Sequence, residues 1–284
     1  MLSFDLFVDY VSENILLMLP ERFTGATVDV RPMCKPGAKY LGMVVMPRGI
    51  TTGTIVDLNQ EYRRYQKGGS LDDVMNSIAK NVTAGSQELN EMIIFEDYDV
   101  AKEQLFLRVN NRVWNKEYLS NMPHHDVEDL AVTVHLKMRK DEAFLGSVPF
   151  TYSMMKMYGV EEEQVYHDAM ESAKKLFPPT LNPLKSYRHQ SELILTNEMG
   201  INGAAALWYP GMMEQLAEQF GGNFQVVPLS VHEVIICPDD GKTRARGRQA
   251  GLKSAMTKYS EPEIWLSRHI YRYAEKRHCL EILI

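Results

Sequence analysis

Apolar residues recur along this chain with two different periods, and the segments that carry them follow no regular alternation. Phe4, Phe7, Val8, Val11, Ile15 and Leu19 recur at helical spacing, so they predict a helix with one buried face. Ser3 is placed to cap it and Pro20 to end it. Leu130, Val132, Val134 and Leu136 alternate strictly, as in a half-buried strand, which puts His135 on the opposite face with Ala131 and Thr133. Strands and helices mixed without a strict βα repeat argue against a doubly wound parallel sheet. They predict an α+β fold of mixed, mainly antiparallel sheets with packed helices.

The turn chemistry fills in the order. Lys35-Pro36-Gly37 separates two apolar stretches, Val28–Val30 and Leu41–Met46, and predicts a β-hairpin, with Thr54–Leu58 as a third strand. Ser70 and Asp73 mark the start of a helix carrying Leu71, Val74 and Ile78. Leu105–Val109 reads as a strand. Glu161–Phe177 reads as a helix, acidic at its start and with Lys174 and Lys175 at its end, as the helix dipole favours. Pro178, Pro179 and Pro183 interrupt regular structure and suggest a seam between an N-terminal α+β region, 1–180, and a C-terminal one, 186–284, unless both form one compact unit. Beyond it, Glu192–Thr196, Phe224–Val227 and Val231–Cys237 read as strands. Met213, Leu216, Ala217 and Phe220 read as a helix, and further helices are expected from about Ala245 and from Glu261.

Composition narrows the function classes. With 284 residues, 45% of them hydrophobic, the chain can bury a core without staples. The formal net charge of −6 supplies no overall field for nucleic acid or anionic lipid. Asp5, Asp9 and Glu13 precede any Lys or Arg, so no secretory signal is expected, and no stretch approaches the ~20 apolar residues of a membrane helix. Cys34, Cys237 and Cys279 are scattered and odd in number, which suits a reducing, cytoplasmic setting; Cys237, ending an apolar run, reads as a small buried hydrophobe.

Four constellations merit attention. On a strand from Val231 to Cys237, Ser230 and His232 would share one face with α-carbons roughly 6–7 Å apart, a candidate nucleophile–base pair. Glu233 would point the other way, so no third group orients the base. His124-His125-Asp126 follows Pro123; adjacent histidines diverge, Asp126 suits a helix start, and no metal site is predicted. The stretch Gly200–Ala206 is Gly-rich without the dinucleotide or phosphate-loop pattern, so no cofactor is predicted. Lys242, Arg244, Arg246, Arg248, Lys253 and Lys258 form a basic patch uninterrupted by any acid, which could meet phosphate or an acidic partner.

Several motifs together resemble one family. Leu195–Ala206 reads LTNEMGINGAAA, followed by Tyr209-Pro210-Gly211, Ala217-Glu218 and Val227–Ile235, VPLSVHEVI. Earlier come Thr54–Leu58 with Tyr62 and Tyr65, Met122–His125 with Asp129–Ala131, and Met157–Val160; later come Leu266-Ser267 and Tyr271–Tyr273. The chain resembles, over nearly its whole length, the domain-of-unknown-function family numbered 5688, departing from its pattern at Trp208 and Leu229. The resemblance implies a bacterial cytosolic protein, often near mobile elements, and no established activity. It draws Asn202 and Tyr209 in as candidate ligand-binding residues beside Ser230, His232 and Glu233.

The first functional reading is therefore a non-catalytic binding or regulatory protein with a protein partner and no membrane association. A hydrolase using Ser230 and His232 is the alternative. Association with nucleic acid through 242–258 is the third reading.

Overall fold

In a computed structural model, residues 1–48, 53–91, 95–140, 145–184, 192–258 and 262–284 are described, apart from the side chains of 87–91, 139, 140, 145, 258 and 262. The chain is α+β and divides into two compact units, Met1–Ile93 and Ile94–Ile284.

In the first unit, helix α1 (Phe4–Asn14) begins where the Ser3 hydroxyl accepts the Leu6 N–H. It buries Phe7 and Val11, with Ile15 just beyond. Strands β1 (Thr27–Lys35) and β2 (Ala38–Met46) form the expected hairpin, closed at Lys35↔Ala38, with Gly37 at a φ of 75° that favours glycine. Strand β3 (Thr54–Asp57) pairs with β2. Asp57 caps α2 (Leu58–Gln66), and Ser70 and Asp73 bond reciprocally at the start of α3 (Leu71–Glu91). Met43, Val45, Val56, Val74, Ile78 and Val82 meet Phe7 and Val11 in one core.

The second unit starts with α4 (Tyr98–Ala101), β4 (Leu105–Asn111), α5 (Lys116–Leu119), β5 (His124–Val127), β6 (Leu130–Lys140) and β7 (Leu145–Pro149). Strand β6 is central to a four-stranded antiparallel sheet, with β4 on one edge and β5 and β7 on the other. His124-His125-Asp126 is thus a strand rather than a helix start; the close β5–β6 turn at Val127↔Leu130 holds it extended, with Glu128 at positive φ. Helix α6 (Tyr152–Tyr158) ends at Gly159, and α7 (Glu162–Leu176) buries Val165, Tyr166, Ala169 and Ala173.

A six-stranded antiparallel sheet follows, made of β8 (Pro179–Pro183), β9 (Leu193–Asn197), β10 (Phe224–Val227), β11 (Val234–Pro238), β12 (Tyr271–Ala274) and β13 (Cys279–Ile282). Its order is β13-β12-β10-β11-β9-β8, with α8 (Met212–Phe220) and α9 (Lys242–Lys258) between strands. The proline-rich segment expected as a seam is the edge strand β8, where a residue without an N–H is tolerated. Position 186 lies outside the described residues. The chain's end also differs from expectation: instead of a second helix it forms the β12–β13 hairpin. Tyr271 and Tyr273 alternate into the core and His278 adopts a left-handed turn conformation. Glu261 itself is outside the described residues.

Candidate functional site

The Ser230–Glu233 segment is a turn, and β11 starts only at Val234. The reason is local. The Ser230 hydroxyl accepts the His232 backbone N–H at 3.1 Å, and the Ser230 N–H donates to the Glu233 carbonyl at 3.2 Å. A serine that satisfies the backbone in this way competes with strand pairing. His232 Nδ1 accepts the Asn202 backbone N–H at 3.1 Å, and the His232 carbonyl accepts the Thr196 hydroxyl at 2.8 Å. Gly203 fits beneath: a Cβ there would lie 2.5 Å from the His232 carbonyl oxygen. Asn202 is buried in a left-handed conformation, and Tyr209 is buried with its phenol pushed above its ordinary pKa by burial. The structure therefore brings Ser230, His232 and Asn202 together, but as a backbone-holding turn: the bond between them runs from the His232 main chain to Ser230, not from Ser230 to the imidazole.

The basic patch separates into two parts. Helix α9 packs on the sheet through Ala245, Leu252 and Met256, and Arg248 lies on that same inward side. Lys242, Arg244, Arg246 and Lys253 are exposed, with Arg244 paired to Asp240 at 3.3 Å; the Lys258 side chain lies outside the described residues. Arg248 donates to Asp240 at 2.6 and 2.8 Å, to Gln225 Oε1 at 2.8 Å, and to Glu192 at 3.1 and 3.3 Å. Burial alone would discourage its charge, but the hydrogen bonds it donates to these carboxylates hold its pKa above the ordinary value. Asp240 answers in kind: against the pull of burial, Arg248 and Arg244 hold its carboxyl below the ordinary value.

Glu192 and Arg248 of this network line a pocket of about 200 Å³ between the sheet and α9. Val227, Leu229, Ile235, Leu252 and Ala255 wall it, and Gly251 opens it, since a Cβ there would meet nothing within 4 Å. Cys237 lies at the charged end beside Glu192. Burial pushes its thiol up to about 12, assisted by the Glu192 carboxylate and opposed by Arg248. The thiol thus stays protonated at neutral pH and is no ready nucleophile.

Sequence reasoning read Cys237 correctly as buried but missed Glu192 and the inward role of Arg248. The signal for Arg248 was present: it lies three residues after Ala245 and four before Leu252, on the apolar side of the helix. Glu192 carried none, because its partner is 56 residues away. Among the described residues, no group of three His, Cys, Asp or Glu side chains is placed to hold a metal, and no helix is long and apolar enough to cross a membrane.

Comparison with known families settles the kinship. The family model of DUF5688, a family of unknown function, matches residues 4–191 and 184–275. The chain belongs to DUF5688. No curated protein and no solved structure matches it. The DUF5688 model spans both compact units, so the α9 pocket and the Ser230 turn lie within the matched residues.

Proposed function

We propose that this DUF5688 protein is a non-catalytic binding protein that takes a small, uncharged, apolar molecule in the pocket between α9 and the six-stranded sheet. The observation that carries the reading is the pocket itself: about 200 Å³, apolar on its walls, with lining charges that already satisfy one another. An apolar cavity of ~150 Å³ holds benzene, so this one is large enough for a ligand of similar or slightly greater size. A charged ligand would give up its water with no unmatched counter-charge among Glu192 and Arg248 to repay it. The scattered cysteines favour a reducing, cytoplasmic setting.

The test is thermal denaturation of the whole chain with neutral probes such as indole and hexanol, set against Gly251→Leu. Binding to the folded state raises the Tm as ligand exceeds Kd. A probe should stabilise the native chain and leave Gly251→Leu unmoved. No shift with any probe, or an equal shift in both proteins, overturns the reading.

One observation favours a second reading, contact with nucleic acid. Lys242, Arg246 and Lys253 are exposed and, at about 100° per residue, lie within roughly 40° of one another around α9. Affinity for single- or double-stranded DNA that falls steeply with salt, and is lost on reversing these three charges, would favour it over the pocket.

A further inference from the structure

Helix α8 stops at Gly221 and Gly222, with φ of 73° and 130°, conformations that favour glycine. The chain then passes through Asn223 into β10, whose neighbour β12 runs out into the β12–β13 turn at 275–278. Between the end of α8 and that turn lies a cavity of about 390 Å³, larger than the α9 pocket and sharing no lining residue with it. Its lining is polar: among the described residues, Ala274 supplies its one apolar side chain. Asn223 Oδ1 accepts the Glu275 N–H at 2.9 Å and ties the turn to the start of β10.

The charges around this cavity are only partly matched. Arg272 donates from Nε to Asp239 at 2.7 Å and stands 3.6 Å from Glu281, which Arg277 also binds. Glu275 and Lys276, consecutive in the turn, line the same cavity, and among the described residues neither side chain has an ion pair. A Cβ at Gly222 would lie 3.3 Å from Glu275 Oε2, so this carboxylate stands beside the end of α8. The last carbonyls of a helix carry partial negative charge, so that corner favours a cation. Lys276 favours an anion. With the partners they bind, the lining charges comprise three cations and three carboxylates, so the cluster has no net charge. A simple anion would satisfy Lys276 and leave Glu275 bare; a simple cation would do the reverse.

We propose that the cavity between the end of α8 and the β12–β13 turn binds a free amino acid with an uncharged polar side chain. Glu275 takes its ammonium and Lys276 its carboxylate. Both are neutralised at once only by a ligand that carries both signs. Glu275 and Lys276 are neighbours in the chain and line one cavity, so the ligand's two charges are close together, as on one α-carbon. A charged side chain would add an unmatched charge to a cluster that is already balanced. A polar one suits the lining, where Asn223 Nδ2 donates to no protein group among the described residues. The site does not depend on the α9 pocket.

The experiment is isothermal titration of the full chain at low ionic strength, where exposed charges are least screened, with L-glutamine, L-asparagine and L-serine in turn. At least one should bind, one molecule per chain. Its N-acetyl derivative, which lacks the ammonium, and its α-amide, which lacks the carboxylate, should each bind about fivefold more weakly, as the loss of one exposed ion pair implies. Lys276→Met should weaken the amino acid and the N-acetyl derivative and leave the α-amide unchanged. Glu275→Gln should weaken the amino acid and the α-amide and leave the N-acetyl derivative unchanged. Both side chains are exposed, so neither variant should move the Tm appreciably. No binding of any of the three amino acids overturns the proposal. So does a derivative that binds as tightly as its parent, or an affinity for the amino acid that survives either substitution.

Discussion

The Tyr271 hydroxyl donates to the Asp129 carboxylate across 142 residues of chain. Three further groups converge on that carboxylate: Ser267 Oγ at 2.8 Å, Asn111 Nδ2 at 3.1 Å and His269 Nδ1 at 3.1 Å. Asn111 also donates to the Leu266 carbonyl at 3.0 Å, so the turn after β5 is tied to the segment entering β12. Ser, His and Asp meet here, but not as a catalytic triad. The serine is wholly buried and spends its proton on the aspartate.

Asp129 should therefore matter for stability. Asp129→Ala strands several donors that no water easily reaches and should cost about 3 kcal/mol. Urea denaturation measures it as a lowered midpoint at unchanged slope. A cost below about 1 kcal/mol would mean that the convergence contributes little.

Gly251→Ala should stabilise the protein by about 0.5–1 kcal/mol, since a mid-helix glycine is unfavourable and the new methyl enters open space in the pocket. Differential scanning calorimetry reads this as a higher Tm. A destabilised variant would show that the helix depends on that space.

His135 should give stability a neutral-to-acid dependence. Burial, then the charge of Arg108, holds its pKa well below the ordinary 6.5. The folded state keeps it neutral while the unfolded chain takes up a proton. Its contribution is whole above the ordinary value and shrinks as pH falls through 6.5 towards the folded value. Denaturant midpoints taken downward from pH 8 should fall less steeply in His135→Leu than in the native chain. Equal slopes would refute the assignment.

Arg248→Met should be costly because it leaves Glu192 and Asp240 facing each other in a half-buried site, about 3–5 kcal/mol for a broken buried pair. Adding Glu192→Gln should recover part of the loss. In the native chain the depressed Asp240 carboxyl contributes stability that is present above its ordinary value of 3.8 and is lost as pH falls through its folded value. That acid-limb contribution, which far-UV circular dichroism can follow, should shrink in Arg248→Met, where Arg244 remains the only one of the two arginines beside Asp240.

Much of the local structure was legible from residue order alone. The β1–β2 hairpin, the capped helices α1 and α3, β6 and α7 all follow from periodicity, caps and turn residues, because these signals act within a few positions of chain. So did the buried state of Cys237. Ser230 shows where such reading stops: alternation suggested a strand, but its hydroxyl bonds the backbone two residues on and delays β11 to Val234. The C-terminal hairpin was missed because its strands are only four residues each and gain their definition from pairing, β12 with β10 and β13 with β12.

The sequence by itself determined the α+β class, the order of most elements, and kinship with one family. Only tertiary structure decided which charges are satisfied. Arg248 and Arg108 are equivalent letters, yet the first is met by carboxylates 8 and 56 positions away, while among the described residues the second has no ion pair. Electrostatic compensation depends on distances across the fold, and helical or strand periodicity carries no information about them.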